Sequence, residues 1–214
     1  MNLNLVSKYK QTGLSLIELL VASSISLIAI ATVGSIYITG NKIAMARTSQ
    51  LLIKQDVNDT LKHITDEIRR AGYTSVLDEP VTLSGAASIV ETSSNKIGFV
   101  YEDDNGKWRG IKFQKKTSST TPSVQVIQMC QKISSSSALS SITDFTFGNL
   151  CSSAEIASMM DYKNINVNDF SVTTSFISSA QSTAMKVDIL LDATLIGTSY
   201  THTGKASVLL RNIQ

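Results

Sequence analysis

The sequence predicts an α+β fold, with one long N-terminal α-helix packed on an antiparallel β-sheet domain. Three observations predict it. Residues 19–41 contain no charged side chain and are mostly Leu, Ile, Val and Ala. Residues 53–71 repeat apolar side chains at the helical period. From Val81 onward, short apolar runs alternate with Asn-, Gly- and Ser-rich breaks, the pattern of strands and turns. The 214 residues suffice for one ordinary domain plus an anchor, and a hydrophobic fraction of 43% supports a packed core.

The apolar run comes first. Roughly 20 residues at about 1.5 Å each cross a hydrocarbon layer, so residues 14–41 are predicted to form a transmembrane helix. A secretory signal peptide is the competing reading, with Lys8 and Lys10 before the run and Ala29-Ile30-Ala31 as a small-x-small cleavage pattern. The run continues through Val33, Ile36, Tyr37 and Ile38, too far for a signal core. Neither reading explains Glu18, a carboxylate at the head of the segment. Charge costs on the order of 2.5–3.5 kcal/mol at a bilayer centre.

Residues 42–72 are predicted to continue the helix in amphipathic form. Ile53, Val57, Leu61, Ile64, Ile68 and Ala71 make one stripe, while Lys54, Asp56, Asp59, Lys62, Asp66, Glu67 and Arg70 fall on other faces. Gly72 is the expected C-cap, with Pro80 beyond it.

Residues 73–214 form the β-rich domain. Lys96–Tyr101 and Gly110–Phe113 flank Asp103-Asp104-Asn105-Gly106, a hairpin signal. Ser123–Gln131, Ile142–Phe147, Asn168–Ile177, Met185–Leu195 and Ala206–Leu210 are the other expected strands, and the Ser/Thr runs at 117–121 and 134–137 are expected to be exposed loops.

Chemistry-bearing patterns are few. His63 lies beside the helical stripe and His202 in a Thr-rich turn, neither with a partner at motif spacing. No phosphate loop, nucleophile elbow or Cys/His cluster is present, so no enzyme, cofactor or metal is expected. The acidic run at 103–105 lacks EF-hand spacing. Lys107, Arg109, Lys112, Lys115 and Lys116 cluster around Trp108, a candidate DNA contact. Against it, the formal net charge is only +2, and it vanishes without Lys8 and Lys10.

The basic leader, Gly13 and then Leu14-Ser15-Leu16-Ile17-Glu18-Leu19-Leu20-Val21 resemble the class III signal of type IV prepilins and type II secretion pseudopilins. Glu67-Ile68-Arg69-Arg70-Ala71-Gly72-Tyr73 and the closing Ser207–Asn212 are similar to segments of minor pilins of the PilW type. The resemblance implies that a prepilin peptidase cuts between Gly13 and Leu14, removing the cytoplasmic leader 1–13, and N-methylates Leu14. It implies a single-pass inner-membrane protein with a periplasmic C-terminal domain, working with major and minor pilins, membrane lipid and the assembly platform. Glu18 would then pair with the new amine, its own at i,i+4 or a neighbouring subunit's. Leu14 stands where Phe is more usual, and the anchor lacks the proline common in major pilins. Alternatives are a type II secretion pseudopilin and a DNA-uptake pilus component. A periplasmic location also favours a disulfide between Cys130 and Cys151, the only two cysteines.

Overall fold

The computed structural model describes residues 13, 15–152, 155–178 and 183–210. The chain divides into two compact units, Met1–Thr48 and Ser49–Gln214.

A single helix, α1 (Leu16–Ile68), covers 53 residues, about 80 Å at the helical rise. Within the first unit its large apolar side chains, from Leu16 to Met45, are exposed. Serine and threonine hydroxyls there donate back into the helix: Ser23 to Leu20 O, Ser24 to Val21 O, Ser26 to Ala22 O and Thr32 to Ala29 O. These polar groups are thus satisfied without water, as a hydrocarbon environment requires.

The second unit carries the last turns of α1 and two antiparallel sheets. The first sheet has the order β1 (Val90–Ser93), β2 (Lys96–Glu102), β3 (Trp108–Thr117), β4 (Gln125–Ile133), β5 (Glu155–Ser158). The second has the order β6 (Ile165–Ser178), β7 (Thr183–Leu195), β8 (Thr201–Leu210). The α+β expectation holds, with the β layer divided into two sheets. Ile53, Val57, Leu61, Ile64 and Ile68 are all buried and share one core with the inner faces of both sheets. Gly204 on β8 lets the helix come close: a Cβ there would lie 2.5 Å from Leu61 Cδ1 and 2.8 Å from Val57 Cγ1.

The helix stops at Ile68 rather than Ala71, which packs against the core from the turn beyond. Gly72 is left-handed, with φ of 76°. Its N–H donates to Val100 O, and it accepts from Val81 N–H, so the chain leaving the helix is bonded beside β2. Glu67, placed by periodicity on a polar face, is buried and accepts the Tyr101 hydroxyl at 2.9 Å.

The first sheet is covered on both faces. Ile97, Phe99, Ile111 and Phe113 join the main core. Alternate residues Val100 and Trp108 pack with Val81, Leu83, Phe145 and Leu150 in a second core. The cover is the segment 134–152. Ile142–Phe147 is therefore no strand: Leu139–Asp144 is a 3-10 helix, and Phe145 behind it is buried on the sheet. Glycines make room, since a Cβ on Gly110 would meet Leu150 Cδ2 at 2.4 Å and one on Gly98 would meet Phe147 Cδ2 at 2.8 Å. Ser134 is also not the exposed loop residue expected: it is buried and accepts the Trp108 N–H at 3.0 Å.

β1 and β5 were not expected, and the chain at Val81 is a loop although Val81 and Leu83 are buried. β6 begins at Ile165 and contains a register shift between Val167 and Asp169. That extra residue moves the inward positions from Ile165 and Val167 to Phe170 and Val172, hiding the alternation. β8 begins at Thr201, so His202 lies on a strand, paired with Ala193, and not in a turn.

Cys130 on β4 and Cys151 at the end of the covering segment form a disulfide. With 21 residues of separation, the chain-entropy model gives about 3 kcal/mol of stabilisation. Cys130→Ser is expected to lower unfolding free energy by roughly that amount, measured by denaturant titration. Alkylation of native protein without reductant is expected to label neither cysteine, and two labelled thiols would refute the bond in the native molecule.

Candidate processing and assembly site

The N-terminal site is built from the first turn of α1. The Ser15 N–H donates to Glu18 Oε2 at 2.9 Å, and the Leu19 N–H donates to Ser15 O at 3.2 Å. Glu18 reaches back over the turn as the last residue of a Ser-x-x-Glu capping arrangement, satisfying a donor that the helix leaves open. A carboxylate is also favoured there by the helix dipole. Ser15 was readable from this spacing and was not among the residues singled out. Gly13 has nothing within 4 Å of where its Cβ would be. Leu14, the expected cleavage and methylation residue, lies outside the described residues. A helix with this apolar stretch is long and apolar enough to cross a membrane.

The basic residues around Trp108 do not share one exposed face. Strand alternation puts Lys112 and Lys116 on the Trp108 face of β3, with Arg109 and Lys115 on the other. Trp108 is fully buried and its indole N–H donates to Ala138 O at 3.0 Å, so no base can stack on it. Lys112 is buried too, donating to Phe147 O at 2.8 Å with its Nζ 4.6 Å from the Phe147 ring centre. Burial lowers its pKa. Lys115 donates to Asn168 O. Lys107 and Lys116 remain exposed at opposite ends of the strand.

Charges gather instead where α1 ends. The Tyr101 hydroxyl sits between Glu67 and Arg70; burial and the Glu67 carboxylate raise its pKa. A hydrogen bond to Tyr101 and the charge of Glu67 hold Arg70 above its ordinary value. Glu102 is held below the usual carboxylate range by the Ser75 N–H, the Ser75 hydroxyl and the Thr74 hydroxyl. His63 is exposed and edge-on to Phe113 at 6.3 Å, far in sequence from His202 on β8. Among the described residues, no group of His, Cys, Asp and Glu could hold a metal ion.

Two family models match the chain. The prokaryotic N-terminal methylation motif covers residues 8–34, and prepilin peptidase-dependent protein B covers residues 46–210. No curated protein and no solved structure is significantly similar to it. The methylation motif contains Gly13 and the Ser15–Glu18 turn, and the second match contains the helical stripe and both sheets. The chain therefore belongs to the prepilin peptidase-dependent protein B family and is a type IV pilin-like protein.

Proposed function

We propose that this chain is a minor type IV pilin, a subunit that helps initiate assembly of a pilus or cap it. The observation that carries the reading is a single carboxylate, Glu18, at the head of an apolar helix that has no other charge as far as Asn41. Under this reading the leader 1–13 is removed between Gly13 and Leu14, and the Leu14 amine is methylated. Residues 14–41 stay in the inner membrane, the helix runs on beyond them to Ile68, and 73–214 form the periplasmic domain. The partners are the peptidase, other pilins, membrane lipid and the assembly platform.

The Ser15–Glu18 bond gives this function a physical basis. In the precursor the carboxylate caps its own helix. Cleavage creates an ammonium one residue before Ser15, a stronger partner for Glu18 than a neutral N–H. When the partner is a neighbour's amine, the pair fixes the register between subunits, because either charge alone in a dry environment is costly.

N-terminal sequencing of the mature protein is expected to begin at Leu14. Gly13→Val is expected to leave the full-length precursor in the membrane. A mature chain beginning at Thr32 would show that the segment is an ordinary signal peptide and overturn the pilin reading. The same N-terminus would suit a type II secretion pseudopilin. Co-purification with secretion components in place of pilus components would transfer the assignment to that machinery.

A further inference from the structure

A cleft of about 370 Å³ opens between the end of α1, the start of the following loop and the β2–β3 turn. No aliphatic side chain lines it; its walls are charged or amide side chains and two tyrosines. That is unlike the mostly apolar lining of ordinary small-molecule pockets. Its charges balance: Arg69, Arg70 and Arg109 against Glu102, Asp103 and Asp104. A free anion or cation would therefore meet its like charge as often as its opposite.

Hydrogen-bonding capacity is unevenly used. Glu102 is taken up by Ser75 and Thr74, and Asp103 Oδ1 accepts the N–H groups of Asn105 and Lys107. Arg69 bonds Asp66 at 2.9 Å. Arg109 is the exception. Its Nη2 is 3.9 Å from Asp103, beyond hydrogen-bond distance, and its Nε is buried without a partner. A guanidinium this enclosed ordinarily finds acceptors. Asp104 and Asn105 are exposed at the rim, supplying acceptors and an amide, and Tyr73 is 59% exposed.

We propose that this cleft binds a neutral saccharide, a mono- or disaccharide unit of a glycan. A pyranose presents hydroxyls that both donate and accept, matching the Arg109 Nη2 donor, which no acceptor within hydrogen-bond distance takes up, and Asp104 acceptors without adding charge. Its apolar C–H face would lie on the exposed Tyr73 ring. The absence of aliphatic pockets disfavours a peptide, whose side chains would need them. The proposal concerns a ligand site and stands apart from the assembly role, since no residue of the cleft belongs to the Ser15–Glu18 turn.

The test is saturation-transfer NMR on the full chain in lipid nanodiscs. The neutral probes are methyl β-galactoside, methyl β-N-acetylglucosaminide and maltose; the competitors are inorganic phosphate, sialyllactose and a blocked glycine–alanine peptide. At least one neutral probe is expected to bind with a millimolar dissociation constant. Tyr73→Ala, a change at an exposed side chain, is expected to weaken it about tenfold through loss of the ring contact. Arg109→Lys, which keeps the charge and loses the fork, is expected to weaken it several-fold. Lys205→Ala, on the outer side of β8, is expected to change nothing. Absence of transfer to every neutral probe would overturn the proposal. So would transfer unaffected by both cleft variants, or binding there of phosphate or the peptide alone.

Discussion

Subunits carrying Glu18→Val are expected to be cleaved and inserted like wild type, yet to be missing from the assembled fibre. The substitution removes a charge from the apolar segment, so insertion becomes easier. It also removes the bond to the Ser15 N–H, a capping loss of about 1 kcal/mol that a helix held in lipid tolerates. Both sheets and the helical stripe begin beyond Ser49, so folding of that unit is expected to survive. A neighbouring ammonium left without a carboxylate costs roughly 3–5 kcal/mol when buried, enough to abolish incorporation. Glu18→Gln separates the two roles. The amide oxygen can still accept the Ser15 N–H but cannot neutralise an amine. Pull-down of partner pilins from solubilised membrane, with counts of surface fibres, reads the result. Assembly restored by Glu18→Gln would show that Glu18 serves only its own helix start.

Gly110→Ala is expected to destabilise the second unit by about 1–3 kcal/mol through overpacking. The new Cβ would stand 2.5 Å from Phe145 Cδ1 as well as against Leu150. The obvious relief, lifting the covering segment off the sheet, is opposed by the disulfide at its end and by Lys112 and Lys132, which donate to Phe147 O and Asp144 O. Urea unfolding of the single variants and of Gly110→Ala combined with Leu150→Ala measures the coupling. The double variant is expected to be more stable than the sum of the two single losses, because the smaller side chain vacates the space the methyl needs. Strict additivity would show that Leu150 does not press on Gly110.

Periodic features were legible in the sequence, and features made by tertiary contact were not. The stripe from Ile53 to Ile68 and the Asn-Gly hairpin follow from local rules, and each lies where expected. Glu67 and Lys112 look like surface charges because only the fold brings Tyr101 and the Phe147 carbonyl to them. Trp108 amid lysines suggests an exposed binding surface, but alternate residues of a strand face opposite ways and a distant segment covers the tryptophan. Ile142–Phe147 carries strand-like residues whose apolar side chains are used singly, as plugs over Gly98 and Gly110. At the N-terminus the capping turn is local and its Ser-x-x-Glu spacing visible, yet from sequence Glu18 was paired only with the Leu14 amine and Ser15 was missed.

Gly204 has a consequence for the order in which the protein can mature. The strand that closes over Val57 and Leu61 is, among the described residues, the last strand in chain order and so the last to be synthesised. Until it emerges, the apolar stripe near the start of the domain has no complete cover, and the covalent bridge between Cys130 and Cys151 can form before that cover arrives. Nascent chains therefore pass through an interval in which a greasy helix and an unclosed sheet edge coexist, the condition under which intermediates aggregate. A truncation ending before Thr201 would prolong that interval indefinitely, because the strand carrying Gly204 would never arrive.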